Sequence, residues 1–239
     1  MKILILGGTG EARDLAARLV GLGHEVTTSL AGRTSDPALP PGHLRVGKFG
    51  GVPGLAGYLH AMAFDRLVDA THPYAALMSA NAVAASTQAR VPLVRYMRPA
   101  WVEPSDGWTS VPDIASAAAA LPSGATALVT TGHEGLEAIL ARNDCTLLVR
   151  LIEPPQQPLP NHATLLLSRP PHTIADERNL FAAEGITHLV TKNSGGTQTA
   201  AKLEAARQTG ARVIMVARPV LPAAREVGSL EEAVAAIGA

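Results

Sequence analysis

The chain has 239 residues, enough for one large domain or two small ones, and 47% of them are apolar, so a substantial core forms without covalent staples. A single cysteine, Cys145, excludes an intramolecular disulfide framework and a multi-cysteine metal site, and it fits a reducing compartment. The formal charge is zero, no basic run or aromatic–basic interleaving suggests nucleic acid, and no apolar stretch approaches the roughly eighteen residues of a membrane span.

The charge is unevenly spread. Residues 1–98 carry 10 basic against 6 acidic side chains, and residues 99–239 carry 10 against 14. The front half is therefore the side suited to an anionic ligand.

The N-terminal "KILIL" (2–6) reads as a strand and not a signal peptide, because it runs directly into a glycine turn without a cleavage pattern. A cytoplasmic protein is expected. The turn, "GGTGEAR", supplies Gly7, Gly8 and Gly10 with Thr9 as a hydroxyl donor. The segment after it places Ala12, Leu15, Ala16 and Leu19 at helical i, i+3, i+4, i+7 spacing. Strand, glycine turn and helix N-terminus together form a phosphate cradle. The pattern departs from G-x-G-x-x-G, since Arg13 stands where a third glycine is expected, and a plain turn that merely needs glycine is the bland alternative.

The second strand, "EVTTS" (25–29), decides the cofactor. Enzymes for NAD place an acid about twenty residues after the turn, on the ribose 2′-OH. Here "SLAGRTS" offers Ser29, Arg33, Thr34 and Ser35, and no acid before Asp36. Arg33 suits a 2′-phosphate, which points to NADPH; a solvated loop arginine is the alternative.

"LRVG" (44–47), "RLVDAT" (66–71) and "PLVRYM" (92–97) are the next strands. "VDATHPYA" brings Thr71, His72 and Tyr74 to a strand's carboxyl end, near the expected nicotinamide. His72 precedes a proline and is held extended, so it can donate a proton or bind a carboxylate, or simply cap the next helix. In "VRYMRPAW", Arg95 and Arg98 point to opposite sides of an extended segment, so one of them faces a ligand.

Strand–helix alternation lapses over "RPAWVEPSDGWTSVP" (98–112), which marks a boundary between domains 1–100 and 101–239. The second half repeats the alternation with "ATALVTT", "TLLVRLI", "ATLLLS", "THLVTK" and "RVIMVA". "EPPQQPLPNH" is a loop between two of these strands. "TTGHEG" (130–135), with Thr131 and Gly132, is a second anion candidate. "VTKNSGGTQT" (190–199) gathers Lys192, Ser194, Gly195, Gly196 and Thr197 at an expected helix start, and Arg218 ends the last strand. Each alone reads more simply as an N-cap or a surface charge; several such strand ends in one chain are what point to anion binding. The eight histidines show no metal-ligand spacing, and no G-x-S-x-G elbow supports acyl transfer. The fold class is α/β: two Rossmann-like doubly wound domains with mostly parallel sheets, whose strand carboxyl ends would face an interdomain cleft.

In their order and spacing, "ILGGTGEAR", "AGR", "GKFG", "DATHPYA", "RYMRPAW", "TTG", "TKNSGG" and "ARP" resemble the precorrin-6A reductase family of cobalamin biosynthesis, including its cobalt-precorrin-6A counterpart. The resemblance covers nearly the whole chain. It implies NADPH-dependent reduction of the C18–C19 bond of a polycarboxylate tetrapyrrole, giving precorrin-6B. On this reading Gly7, Gly8, Thr9 and Gly10 hold the pyrophosphate, and Arg33 holds the 2′-phosphate with help from Lys48. Thr71, His72 and Tyr74 line the hydride site, His72 or Tyr74 being the catalytic acid. Arg95, Thr131, Gly132, Lys192, Ser194, Gly195, Gly196 and Arg218 bind substrate carboxylates. A monomer is expected, with no nucleic-acid or membrane partner. Two rivals are an NADPH-binding redox sensor without turnover and a short-chain-type NADPH reductase; the second lacks its Tyr-x-x-x-Lys pair, since Met62, Met78 and Ala100 follow the three tyrosines four residues on.

Overall fold

The computed structural model describes residues 1–32, 39–103 and 107–238. The chain divides into two units, Met1–Pro99 with Pro219–Ala239, and Ala100–Arg218.

The first unit opens with β1 (Lys2–Leu6), α1 (Gly10–Gly21), β2 (Glu25–Leu30) and β3 (His43–Val46). It continues with α2 (Gly51–Ala61), β4 (Arg66–Asp69), α3 (Ala76–Ala89) and β5 (Leu93–Tyr96). β1 buries side chains on both faces, which is why its run is continuously apolar and not alternating. Ile3 and Ile5 pack under α1, while Leu4 and Leu6 pack under α2 and α3. The predicted stripe of α1 is buried at Ala12, Leu15, Ala16 and Leu19, and the Thr9 side chain caps its start by accepting from Ala12 N.

The second unit runs β6 (Thr109–Val111), α4 (Ile114–Ala120), β7 (Thr126–Val129), α5 (Leu136–Leu140) and β8 (Thr146–Leu151). β9 (Ala163–Leu167), α6 (Ile174–Ala183), β10 (His188–Lys192), α7 (Ala201–Thr209) and β11 (Arg212–Val216) complete it. Gly210 closes α7 in the left-handed conformation expected of a helix-ending glycine. After β11 the chain returns to the first unit as β12 (Arg225–Val227) and α8 (Leu230–Gly238).

Every strand pair is parallel. The first sheet has the order β12-β5-β4-β1-β2-β3 and the second β6-β11-β10-β7-β8-β9. The first is the 3-2-1-4-5-6 doubly wound order, and the second has the same arrangement except that its outer strand, β6, comes first in the chain, so strand order reverses at β1/β4 in one sheet and at β7/β10 in the other. Ligands of open α/β sheets bind outside the strand carboxyl ends at such switch points.

The expected second domain, 101–239, is corrected by the return of residues 219–239 to the first unit. β12 pairs with β5 in the register Arg225↔Val94, and α8 buries Ala233, Ala236 and Ile237 against α1's core. Both strands missed in the sequence, β6 and β12, are three-residue sheet edges and too short to show alternation. Among the described residues, no helix is long and apolar enough to cross a membrane.

Candidate active site

At the β1/β4 switch point the first turn is built from close approaches. A Cβ on Gly7 would lie 2.8 Å from Thr28 Cγ2, so glycine lets the turn pack against β2 there. Gly8 has φ +111°, and a Cβ there would have nothing within 4 Å, so its backbone faces open space. That combination suits a ligand phosphate: the conformation demands glycine, while no protein atom fills the cradle. Gly10 begins α1, a twelve-residue helix whose first N–H groups lack intrahelical partners. The Thr9 hydroxyl is not the phosphate donor the sequence suggested. It accepts from Ala12 N at 3.1 Å and donates to Ala70 O at 2.9 Å, stitching the turn to the end of β4. Thr9 can still contribute its backbone N–H. Glu11, close to the expected phosphate, is paired with Arg98 Nη1 at 2.6 Å, which offsets its charge.

Across the switch point, Asp69 organises the end of β4. Its Oδ1 accepts from the Thr71 hydroxyl at 2.7 Å and from Thr71 N at 3.3 Å, and its Oδ2 faces Arg95 Nε at 3.2 Å. Arg95 also donates to Pro222 O at 2.9 Å and is only 2% exposed. Arg95 is therefore corrected from a substrate ligand to an internal brace: it is the register partner of Asp69 on β5 and is buried against it. His72 is exposed and Tyr74 half-buried, with ring centroids 5.7 Å apart. Tyr74 N donates to His72 Nδ1 at 3.3 Å, which assigns the proton of a neutral imidazole to Nε2.

Arg33 lies outside the described residues. Lys48 is exposed beyond the end of β3. The sequence reading missed Arg45, the register partner of Ser29 at the end of β2. Its guanidinium lies 3.7 Å from the Phe49 ring centroid and 5.2 Å from that of Tyr58. The only sequence signal was an arginine four residues before an aromatic.

At the second unit's switch point, Thr131 follows β7 and Lys192 ends β10. Thr131 is 4% exposed, and its hydroxyl has no hydrogen-bond partner among the described residues. Lys192 is 9% exposed, with Nζ 3.6 Å from Glu134 Oε2. The loop after it is locked in place. Trp101 N donates to Asn193 Oδ1 at 2.8 Å, and Trp101 Nε1 to Gly196 O at 2.8 Å. Arg218 donates from Nε to Asn193 O at 2.9 Å and from Nη2 to Ser194 O at 3.1 Å, so it supports this loop.

The helix start expected after Lys192 is corrected here. Gly195 and Gly196, at φ +69° and +75°, do not open a helix, because α7 starts only at Ala201. Gly132 has φ +80°, but the helix after the "TTGHEG" turn is only the five-residue α5. Neither of these two loops runs directly into a long helix, whereas the β1–α1 turn runs directly into the twelve-residue α1.

The sequence profile of the family described as "Precorrin-6x reductase CbiJ/CobK" matches residues 2–238. A precorrin-6A reductase of Rhodococcus erythropolis is 47% identical, over 99% of this chain and 97% of the relative. A cobalt-precorrin-6A reductase of Priestia megaterium is 29% identical, over 98% and 97%. A solved structure, "CobK precorrin-6A reductase", superposes with a TM-score of 0.94 at 42% identity, covering 100% of this chain and 96% of that one.

Proposed function

The chain belongs to the precorrin-6x reductase family, and from that membership we propose that it reduces the C18–C19 double bond of precorrin-6A with NADPH, giving precorrin-6B. It is an oxidoreductase of cobalamin biosynthesis, and the reductase family implies a nicotinamide cofactor. The observation that carries the cofactor assignment is the first turn, where an open Gly8 backbone meets the N-terminus of a twelve-residue helix at a switch point.

The residues fit a dinucleotide. Gly7, Gly8 and Gly10 and the N–H groups at the start of α1 would hold the pyrophosphate, and Thr71, oriented by Asp69, would line the nicotinamide side. When bound, the cofactor supplies the hydride, and the reduction consumes one NADPH and one proton per macrocycle. His72 Nε2 or the Tyr74 hydroxyl is the proposed donor of that proton. Lys192, Ser194 and the backbone of Gly195 and Gly196 are the proposed seat for substrate carboxylates, with Thr131 and Gly132 in the turn after the adjacent strand β7. Metal-free precorrin-6A is favoured as substrate because the 47% relative bears that name and the cobalt-named one is 29% identical.

The test is anaerobic. Purified protein, precorrin-6A and either NADPH or NADH are mixed, and cofactor loss is followed with the pigment's absorption. Stoichiometric NADPH loss with a pigment shift, and a much slower NADH reaction, is expected. NADPH binding without turnover on either the metal-free or the cobalt-bearing macrocycle would return the redox-sensor reading to first place.

A further inference from the structure

We infer that Arg45 is the residue that selects the 2′-phosphate of the cofactor. The inference rests on the NADPH reading above.

A dinucleotide seated on the first turn places its adenosine ribose over the carboxyl end of β2. β2 ends at Ser29 and Leu30, so among the described residues no carboxylate stands at its carboxyl end to accept from a ribose 2′-OH. Arg45 occupies that end from the next strand. It is aligned with Ser29 in the β2–β3 ladder, and its Nη1 lies 3.4 Å from Ser29 Oγ.

The guanidinium is held before any ligand arrives. Nη1 donates to Gly47 O at 2.6 Å and Nη2 to Lys48 O at 2.9 Å, while the Phe49 ring covers one face at 3.7 Å. Those neighbours fix its plane and leave its charge intact. Carbonyls, a hydroxyl and aromatic rings do not neutralise a cation, and among the described residues no carboxylate lies within ion-pair distance of Arg45. A half-buried, uncompensated guanidinium is an unfavourable arrangement that a bound dianion relieves. The planar fork also matches phosphate oxygens in a way a flexible ammonium does not. The same contacts couple Arg45 to Lys48, whose carbonyl it holds, so one side chain both receives the phosphate and sets the path of the loop carrying a second cation.

Calorimetric titration of the full chain tests this with two fragments that differ only in the 2′-phosphate, 2′,5′-ADP and 5′-AMP. The wild-type protein is expected to favour 2′,5′-ADP by at least about tenfold, some 1.4 kcal/mol. Arg45→Met should reduce that ratio to about threefold or less while leaving 5′-AMP affinity within about twofold, since 5′-AMP has no 2′-phosphate for Arg45 or its loop to contact. Arg45→Lys, which keeps the charge without the fork, should fall between and covers the case in which Arg45→Met does not fold. An unchanged ratio in either folded variant overturns the inference while leaving the NADPH reading intact. Equal weakening of both fragments overturns it as well, by reducing Arg45 to a loop brace. A wild-type protein with no preference removes the NADPH reading, and the inference falls with it.

Discussion

Replacing Asp69 by Asn should destabilise the first unit far more than a one-atom change suggests. The Asp69 and Arg95 side chains are 1% and 3% exposed, with Oδ2 and Nε 3.2 Å apart. In Asp69→Asn the Oδ1 position can still accept from Thr71, but the new amide N–H groups face a guanidinium that has only donors to offer. Arg95 has little in reserve, because its Nη2 is already buried without a hydrogen-bond partner among the described residues. Glu226, at 3.7 Å and 53% exposed, compensates weakly. Removing one partner of a buried pair costs ~3–5 kcal/mol, and the residual Glu226 contact places this case near the lower end, about 3 kcal/mol. For a chain of this size that is a fall in Tm of roughly 6–12 °C. Thermal unfolding of Asp69→Asn, Arg95→Met and the double variant checks the value. The double variant should recover at least about 2 kcal/mol relative to the sum of the single losses, because it leaves no buried charge unpaired. A loss below about 1 kcal/mol in Asp69→Asn, or strict additivity in the double variant, would refute the reasoning.

Gly8→Ala should weaken NADPH binding by tenfold or more at a stability cost of about 1–3 kcal/mol, since φ +111° strains any L side chain and the added methyl enters the phosphate cradle; equilibrium binding and a thermal melt separate the two effects. His72→Ala should cut turnover by on the order of a hundredfold with NADPH affinity unchanged if its Nε2 supplies the proton, and a near-wild-type rate would transfer that role to Tyr74 or water. Lys192→Gln should raise the KM for the macrocycle by roughly tenfold or more through loss of a charged hydrogen bond, with NADPH Kd unmoved. His172 carries a pH prediction: burial, then the nearby Arg150 charge, hold its imidazole below the ordinary 6.5. The folded state therefore takes up its proton later than the unfolded state, so this contribution to stability is complete above about pH 6.5 and is lost as pH falls below that toward the folded pKa. The Tm of the wild-type protein should drop more between pH 7.5 and pH 5 than that of His172→Gln, and equal drops would contradict the assignment.

The first turn was legible because its requirement is local. "KILILGG" must be a strand entering a tight turn, and the spacing of Ala12, Leu15, Ala16 and Leu19 fixes the buried face of α1. What escaped the sequence was non-local. Arg95 looked available until its strand neighbour Asp69 was known, and Arg45 looked incidental until β3 aligned it with Ser29. The Lys192 loop looked like a helix start because glycine, serine and threonine favour N-caps. Trp101 and Arg218, both remote in sequence, hold it as irregular backbone instead, and α7 starts at Ala201. The return of β12 to the first sheet was illegible for a related reason. Three residues show no period, and nothing local names the partner strand of an edge.

The proposed activity turns on one step, hydride delivery to the macrocycle from a reduced nicotinamide held at the first turn. An anaerobic single-turnover reaction of the full chain with precorrin-6A and NADPH dideuterated at nicotinamide C4, read by mass spectrometry of the pigment, addresses it directly. A product carrying one deuterium from the cofactor and one proton from solvent, with an equivalent of oxidised cofactor, is expected. A pigment that returns with its mass unchanged, from protein shown to bind both NADPH and the macrocycle, would contradict it.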